Sequence, residues 1–165
     1  MSTTNAFVDA IDAKILTALS EDPRATVVAL AERTGLSRNT VHARLGRLEN
    51  DGALLSFERR IEPSSLGYPL TAFILASVVQ RKLDSIAQTL RHIPEVLAVH
   101  GLSGVADLLI HVVARDGDDL YRIAGRILEI DGVEKTTSAL RMHEMVSYRL
   151  APLLDRINAP LPEHR

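Results

Sequence analysis

The chain contains no cysteine, which removes disulfides, thiolate metal ligands and cysteine nucleophiles from consideration. It also has no long apolar run. The longest, around Leu70 to Val79, is too short to cross a bilayer as a helix, so no membrane partner is expected. The opening MSTTNAFVDAID lacks a basic stretch followed by an apolar one, so no secretory leader is expected and the cytoplasm is the predicted location. Charge of either sign is scarce as an excess. The formal net charge is −2 over 165 residues, and residues 1–62 carry eight basic against nine acidic side chains. Such a balance argues against indiscriminate coating of nucleic acid, but not against specific contact through one locally basic face. It also predicts that one copy alone would bind DNA weakly. The six histidines have no zinc-ligand spacing, and neither a metal nor another cofactor is expected. What is present is enough apolar material, 46% of residues, for one domain or two small ones.

The most informative stretch is Leu36 to Gly52, LSRNTVHARLGRLENDG. Ser37 is a suitable N-cap, and Val41, Leu45 and Leu48 then recur at helical spacing on one stripe. Asn39, His42, Gly46, Arg47 and Asn50 lie opposite, with Arg38 and Arg44 on the flanks. Between Ser37 and Leu48 there are three arginines and no acid. A helix that is apolar on one side and rich in Arg, Asn and His on the other suits a DNA major groove. Upstream, Ala10 to Ser20 places Ile11, Ile15, Ala18 and Leu19 on one face, with Asp9 or Asp12 at its start. Thr26 caps a short helix with Val27, Leu30 and Ala31 inward, and Gly35 ends it. Two helices joined by a tight Gly-containing turn form a helix-turn-helix, although a plain three-helix bundle would show the same apolar pattern. Downstream, LLSFERRIEP alternates Leu55, Phe57, Arg59 and Ile61 against polar residues, which predicts the strand pair of a wing. The predicted DNA-binding domain is therefore 1–62, followed by a Pro- and Ser-containing linker at 63–69.

Residues 70–149 contain an internal repeat. Shifted by thirty-seven, Leu83 falls on Leu120, Ile86 on Ile123, Ala87 on Ala124, Leu90 on Ile127, Ile93 on Ile130 and Val96 on Val133. Each copy reads strand, helix, strand, and two interleaved copies give the ferredoxin-like β-α-β-β-α-β sandwich. Together with the N-terminal helices this predicts an α+β chain. A four-stranded sheet with helices on one side leaves the other side open. Phe73, Leu75 and Ser77 share a face, as do Leu108, Ile110 and Val112, and an apolar face without helices calls for a second copy. Residues 150–165 hold three prolines and end in polar side chains, and are expected to be a tail with a short helical turn.

In this order the pieces resemble the Lrp/AsnC (feast/famine) transcriptional regulators. The matching segments are IDAKILTALSEDPRATVVALAERTGLSRNTVHARLGRLENDGAL, IEPSSLGYPLTAF, GLSGVADLLIHVV and GVEKTTSALRM, spanning roughly residues 9–150. The resemblance implies a regulator that binds double-stranded DNA at repeated half-sites. It further implies a homodimer that often assembles into tetramers or octamers, and an amino-acid effector bound between regulatory domains. On that footing Ser37, Arg38, Asn39, Thr40, His42 and Arg47 are candidates for base and phosphate contact. Arg44 lies closer to the apolar stripe, which suits a phosphate clamp or an internal salt bridge better than base reading. Arg59 and Arg60 are candidates for phosphate contact from the wing, where adjacent strand residues point oppositely and at most one would serve well.

An amino-acid effector needs an anion for its ammonium and donors for its carboxylate. Asp107 is the candidate for the first. Backbone N–H groups of His100, Gly101, Leu102, Ser103 and Gly104 are candidates for the second, and the alternative for Gly104 and Asp107 is a simple bend between strands. Thr136 and Ser138 match the polar ligand-contacting positions of the family. Ala106 and Thr137 depart from it, standing where an aromatic and a larger or charged residue are common, which implies a roomier pocket or a lost effector. The rival reading is a ferredoxin-like small-molecule-binding oligomer or enzyme whose helix-turn-helix binds protein. Against an enzyme, the sequence offers no nucleophile–base pair, paired carboxylates or Gly-rich phosphate loop.

Overall fold

In the computed structural model, residues 8–159 are described, apart from the side chain of Glu58. They divide into two compact units: the residues up to Arg59 together with those from Val146 onward, and the residues Arg60–Met145.

The first unit contains α1 (Ala10–Glu21), α2 (Val27–Thr34) and α3 (Arg38–Asn50). Each start is fixed by the residue next to it. Asp9 caps α1 and forms a reciprocal capping box with Asp12. Thr26 accepts from the Ala29 amide, and Ser37 accepts from the Thr40 amide. Gly35 and Gly52 take left-handed conformations, so the chain can turn out of α2 and α3. The core is Ile15, Ala18, Leu30, Ala31 and Val41, with Ile11, Leu19, Val27 and Leu45 packed around it. These are the positions the helical spacing marks as inward.

Two expectations for this unit are corrected. Residues 54–62 do not form a strand pair. Phe57–Arg60 is a 3-10 turn, closed by the Arg59 amide donating to Ser56. The alternating residues meet no core: Leu55 is 57% exposed and Phe57 70%. A lone hairpin without a partner layer is marginal in water, so the alternation has nothing to stabilise it. Of the expected tail, the helical turn is present and docked rather than loose, and residues 160–165 lie outside the described residues. Ala151–Asn158 forms α6, which packs on α1 and buries Leu154, and the Asn158 side-chain Nδ2 donates to the Thr17 hydroxyl at 3.3 Å. Pro152 lies in the first turn, where no amide hydrogen is missed.

The second unit is the β-α-β-β-α-β sandwich. A 3-10 turn at Pro63–Leu66 precedes β1 (Leu70–Val78), α4 (Leu83–Arg91), β2 (Val96–Gly101), β3 (Leu108–Ala114), α5 (Gly117–Leu128) and β4 (Val133–Leu140). The strands are antiparallel in the order β2-β3-β1-β4. Ala72, Ile74, Ala76 and Val78 of β1 and Leu108, Ile110, Val112 and Ala114 of β3 meet Ile86, Leu90, Ile123 and Ile127 of the helices. Of the residues related by the thirty-seven-residue shift, all but Ala87 belong to this core or pack against it. Gly132, at φ 97°, is required twice over: a Cβ there would lie 2.7 Å from the Lys82 side chain.

The open face differs from expectation in one respect. Leu108, Ile110 and Val112 pair with Ala76, Ile74 and Ala72, so they point into the helix-covered core. The face opposite carries Phe73, Leu75 and Ser77 with Leu109 and His111, because register places Phe73 against His111 and Leu75 against Leu109. A one-residue offset in parity exchanges the two faces. Phe73 and His111 stack at 4.9 Å, and the His111 Nε2 is buried without a hydrogen-bond partner. Burial lowers the pKa of His111, with Arg141 and His100 acting in the same direction.

Candidate nucleic-acid interface and effector site

The outward side of α3 is set by its inward side. Val41 and Leu48 are buried, so the helical repeat turns Asn39, His42, Ala43, Gly46 and Asn50 away from the core. Asn39, His42, Ala43 and Asn50 are exposed, as are Ser37 and Arg38 at the N-terminal end. Thr40 is half-buried and its hydroxyl lies 2.8 Å from that of Ser37. Asn39 and His42 carry the hydrogen-bonding groups suited to base edges, and Arg38 a free reach toward phosphate.

The other two arginines of the helix turn the opposite way. Arg44 hydrogen-bonds the carboxylates of Asp9 and Asp12, the latter at 3.1 Å, and Arg47 pairs with Asp12. Asp12 is fully buried, and its second oxygen also accepts the Asp9 amide at 3.1 Å. One carboxylate thus closes the start of α1 and fastens α3 to it. The Arg44 guanidinium, with the Asp12 amide, holds the Asp9 carboxyl down at about 2; bonds to Asp9 and Asp12 raise Arg44, and the bond to Asp12 raises Arg47. The expectation that Arg47 faces outward is therefore corrected: its side chain reaches back to a buried acid. For Arg44, the internal salt bridge is what the structure contains. Arg59 and Arg60 are both exposed, on the 3-10 turn rather than on a wing strand.

The candidate effector residues fall into two groups. His100 and Gly101 end β2, and the loop 102–106 leads to Asp107 before β3. The loop is pinned at its base. The Leu102 amide donates to the Asp107 carbonyl at 2.8 Å, and the Asp107 amide donates to Ala76 at 3.0 Å. Asp107 also accepts from the Val78 amide at 2.8 Å and the Gln80 side chain at 2.6 Å. Beyond this base the loop is open, with Gly104 at φ 134° and Val105 fully exposed. Asp107 therefore does structural work at a bend, as the alternative allowed. A carboxylate has about four acceptor positions, so two remain for a ligand.

Thr136 and Ser138 do not join this loop within one chain. Thr136 pairs with Ala76, Ala76 with Leu108, and Leu108 with Gly101, so Thr136 and Gly101 stand on opposite edges of the sheet. Three strand spacings separate them, on the order of 14 Å.

Two family profiles cover most of the chain: a winged helix-turn-helix DNA-binding profile over residues 8–54 and an Lrp/AsnC ligand binding domain over residues 71–151. Among individual proteins, the chain is similar to the HTH-type transcriptional regulator FL11 of Pyrococcus horikoshii, with 33% identity over 78% of this chain and 85% of that one. The chain belongs to the Lrp/AsnC family. Solved Lrp/AsnC-like structures include a transcriptional regulator of Neisseria meningitidis in complex with L-methionine, at 30% identity and TM-score 0.74, covering 86% of this chain and 94% of that one. A feast or famine regulatory protein of M. tuberculosis complexed with L-methionine matches at 30% identity and TM-score 0.76, over 87% and 98%.

The chain is thus an HTH-type transcriptional regulator of the Lrp/AsnC family, with an α+β regulatory domain. Among its described residues no helix is long and apolar enough to cross a membrane. Sequence reasoning passed over Asp12 as an anchor for this Lrp/AsnC reading head. Its signal was legible: an acid at the third helical position after an acidic N-cap marks a capping box, and two arginines on the helix to be docked want a buried partner. The same device recurs in the regulatory domain. Asp116 caps α5, and the buried Asp119 three residues on accepts from Arg115 and Arg122. Those arginines, Arg115 foremost, hold the Asp119 carboxyl well below the usual carboxylate range.

Proposed function

We propose that this regulator reads DNA with the exposed face of α3 and answers to an amino acid bound between copies of its regulatory domain. The observation that carries the first part is the division of polar residues on α3. Arg44 and Arg47 are drawn back to Asp9 and Asp12, which leaves Asn39 and His42 as base readers. Ser37, Arg38 and Thr40 surround the helix N-terminus, where phosphate is favoured, and the exposed Arg59 and Arg60 are further candidates for phosphate contact. The protein acts in the cytoplasm, as a regulator and not as an enzyme.

The effector assignment rests on the family and on the layout of the sheet. Relatives of this fold hold L-methionine. The loop from His100 to Gly104 offers backbone donors, and Asp107 keeps acceptor capacity for an ammonium. Thr136 and Ser138 lie on the far edge, so a pocket using both groups must be completed by another copy. Stacking of the open faces through Phe73, Leu75, Leu109 and His111 supplies the dimer that a weakly charged reading head needs. Larger assemblies, tetramer or octamer, would follow from further contacts between edges.

A duplex recovered by selection from a random pool with the wild-type protein supplies the test. Asn39→Ala and His42→Ala should each weaken binding about 5- to 150-fold, the equivalent of about 1–3 kcal/mol for a base contact. Unchanged binding in both would remove the base-reading assignment. For the effector, a thermal-shift screen of the twenty amino acids should give at least one stabilising ligand, lost in Asp107→Ala but not in a variant of the DNA-binding unit.

A further inference from the structure

Gly46 lies on the outward half of α3, on the same side as Asn39 and His42 and away from Val41 and Leu48, and is itself half-buried. Glycine is, after proline, the most costly residue to hold inside a helix, so a helical glycine calls for a reason. The chain itself supplies none. Gly46 has no positive φ, and a Cβ built there would meet nothing within 4 Å. The contrast with Gly132 is direct, since there both the conformation and the neighbours exclude a side chain. The residues around Gly46 on the same face are Ala43, itself small and exposed, and the polar Asn39, His42 and Asn50. Independently of the small residues, residues 8–54 match a DNA-binding helix-turn-helix, which names DNA as the ligand of this unit.

We infer that Gly46 is the point of closest approach between α3 and DNA, and that it determines sequence selectivity by setting how deeply the helix enters the major groove. Without a side chain at this position, the helix axis can move toward the base edges. The short side chains of Asn39 and His42, which cannot reach as far as an arginine, then come within hydrogen-bonding distance. The methyl group of Ala43 comes within reach of a thymine methyl. A side chain at 46 would hold the helix away and disengage all three together. The inference rests on the reading of α3 as the base-reading helix.

Its test uses the full-length protein with two substitutions, Gly46→Ala and Gly46→Gln, together with Asn39→Ala as a control for that reading. Binding is measured on the duplex selected by the wild-type protein and on a random-sequence duplex, and melting is measured without DNA. Both Gly46 variants should melt at a higher temperature than wild type, because each is a better helix former in open space. On the selected duplex Gly46→Ala should bind several-fold more weakly and Gly46→Gln at least tenfold more weakly, with binding to the random duplex changed less than twofold. If Asn39→Ala weakens binding while Gly46→Gln retains wild-type affinity and selectivity, the close approach is refuted and the reading of the face stands. If neither affects binding, the face is not the reader and the inference falls with it. Lower melting temperatures for both variants would show that Gly46 is required by the fold, which also overturns it.

Discussion

Replacing Asp12 by alanine should loosen α3 from α1 without touching any group that faces DNA. The magnitude follows from what the carboxylate holds. It accepts the Asp9 amide, one guanidinium of Arg44 at 3.1 Å and one of Arg47, and it is fully buried. Loss of a capping interaction costs about 1 kcal/mol. Removing one partner of a buried ion pair costs about 3–5 kcal/mol where the other charge is left stranded. Here Arg44 and Arg47 are 27% and 39% exposed and can turn to water, and Asp9 still holds Arg44, so the larger figure is discounted. The net expectation is a loss of about 2–4 kcal/mol for the N-terminal unit. Hydrogen exchange read by mass spectrometry localises it: protection of α1 and α3 amides should fall by roughly 30- to 1,000-fold, at about 1.4 kcal/mol per decade. Protection of β1 and β3 should stay as in the wild type. Protection of α3 within threefold of wild type would refute the anchor. The companion variant Arg47→Gln should lose protection in the same helices while the slope of log affinity against log salt is unchanged. A slope shallower by about one unit would show instead that Arg47 contacts a phosphate.

Other consequences are as direct. Gly132→Ala should cost about 2–4 kcal/mol, combining a left-handed residue with overlap against Lys82 and Ile86. Gly67→Ala, left-handed but with open space, should cost less, as thermal melting will show. Leu154→Ala should lower the stability of the N-terminal unit by about 2 kcal/mol, seen as faster exchange in α1, because α6 packs there. On acidification, Asp9 and Asp119 have folded-state values below an unfolded value near 4. Their contribution is complete above about pH 4 and lost as pH falls through the folded values toward 2 and below. His111, lowered by burial, adds an earlier step: its contribution is complete above about pH 6.5 and declines as pH falls below it. His111→Phe should abolish the earlier step in a pH series of melting temperatures and leave the later one.

The regulatory domain was almost entirely legible, because its core repeats at a fixed interval. Ile86 and Ile123, Leu90 and Ile127 declare two equivalent helices, and the strands follow from what flanks them. The helix-turn-helix was legible from capping residues, since Asp9, Thr26 and Ser37 each mark a start within one residue. What was not legible depends on partners distant in sequence. The alternation from Leu55 to Ile61 is a strand pattern only if a sheet receives it, and here none does. Leu108, Ile110 and Val112 alternate as cleanly as Leu109 and His111, and only pairing with β1 says which set is buried. In the DNA-binding helix, a helical wheel gives direction from the axis, not the reach of a long side chain. Arg47 starts on the side away from the apolar stripe and ends on Asp12. The candidate effector residues are adjacent in kind but not in space, since strand order places Thr136 and Gly101 on opposite edges.

The docking of α6 on α1 has a consequence for how the protein is made. The unit that holds the reading helix is assembled from two separated parts of the chain, with the whole sandwich synthesised between them. At about 5–20 residues per second, Ala151 leaves the ribosome roughly 5–20 s after Arg59. During that interval the surface of α1 that later receives α6 is uncovered, while the sandwich can already fold. The unit that carries α3 is therefore complete only after the sandwich has been made, when α6 docks on α1.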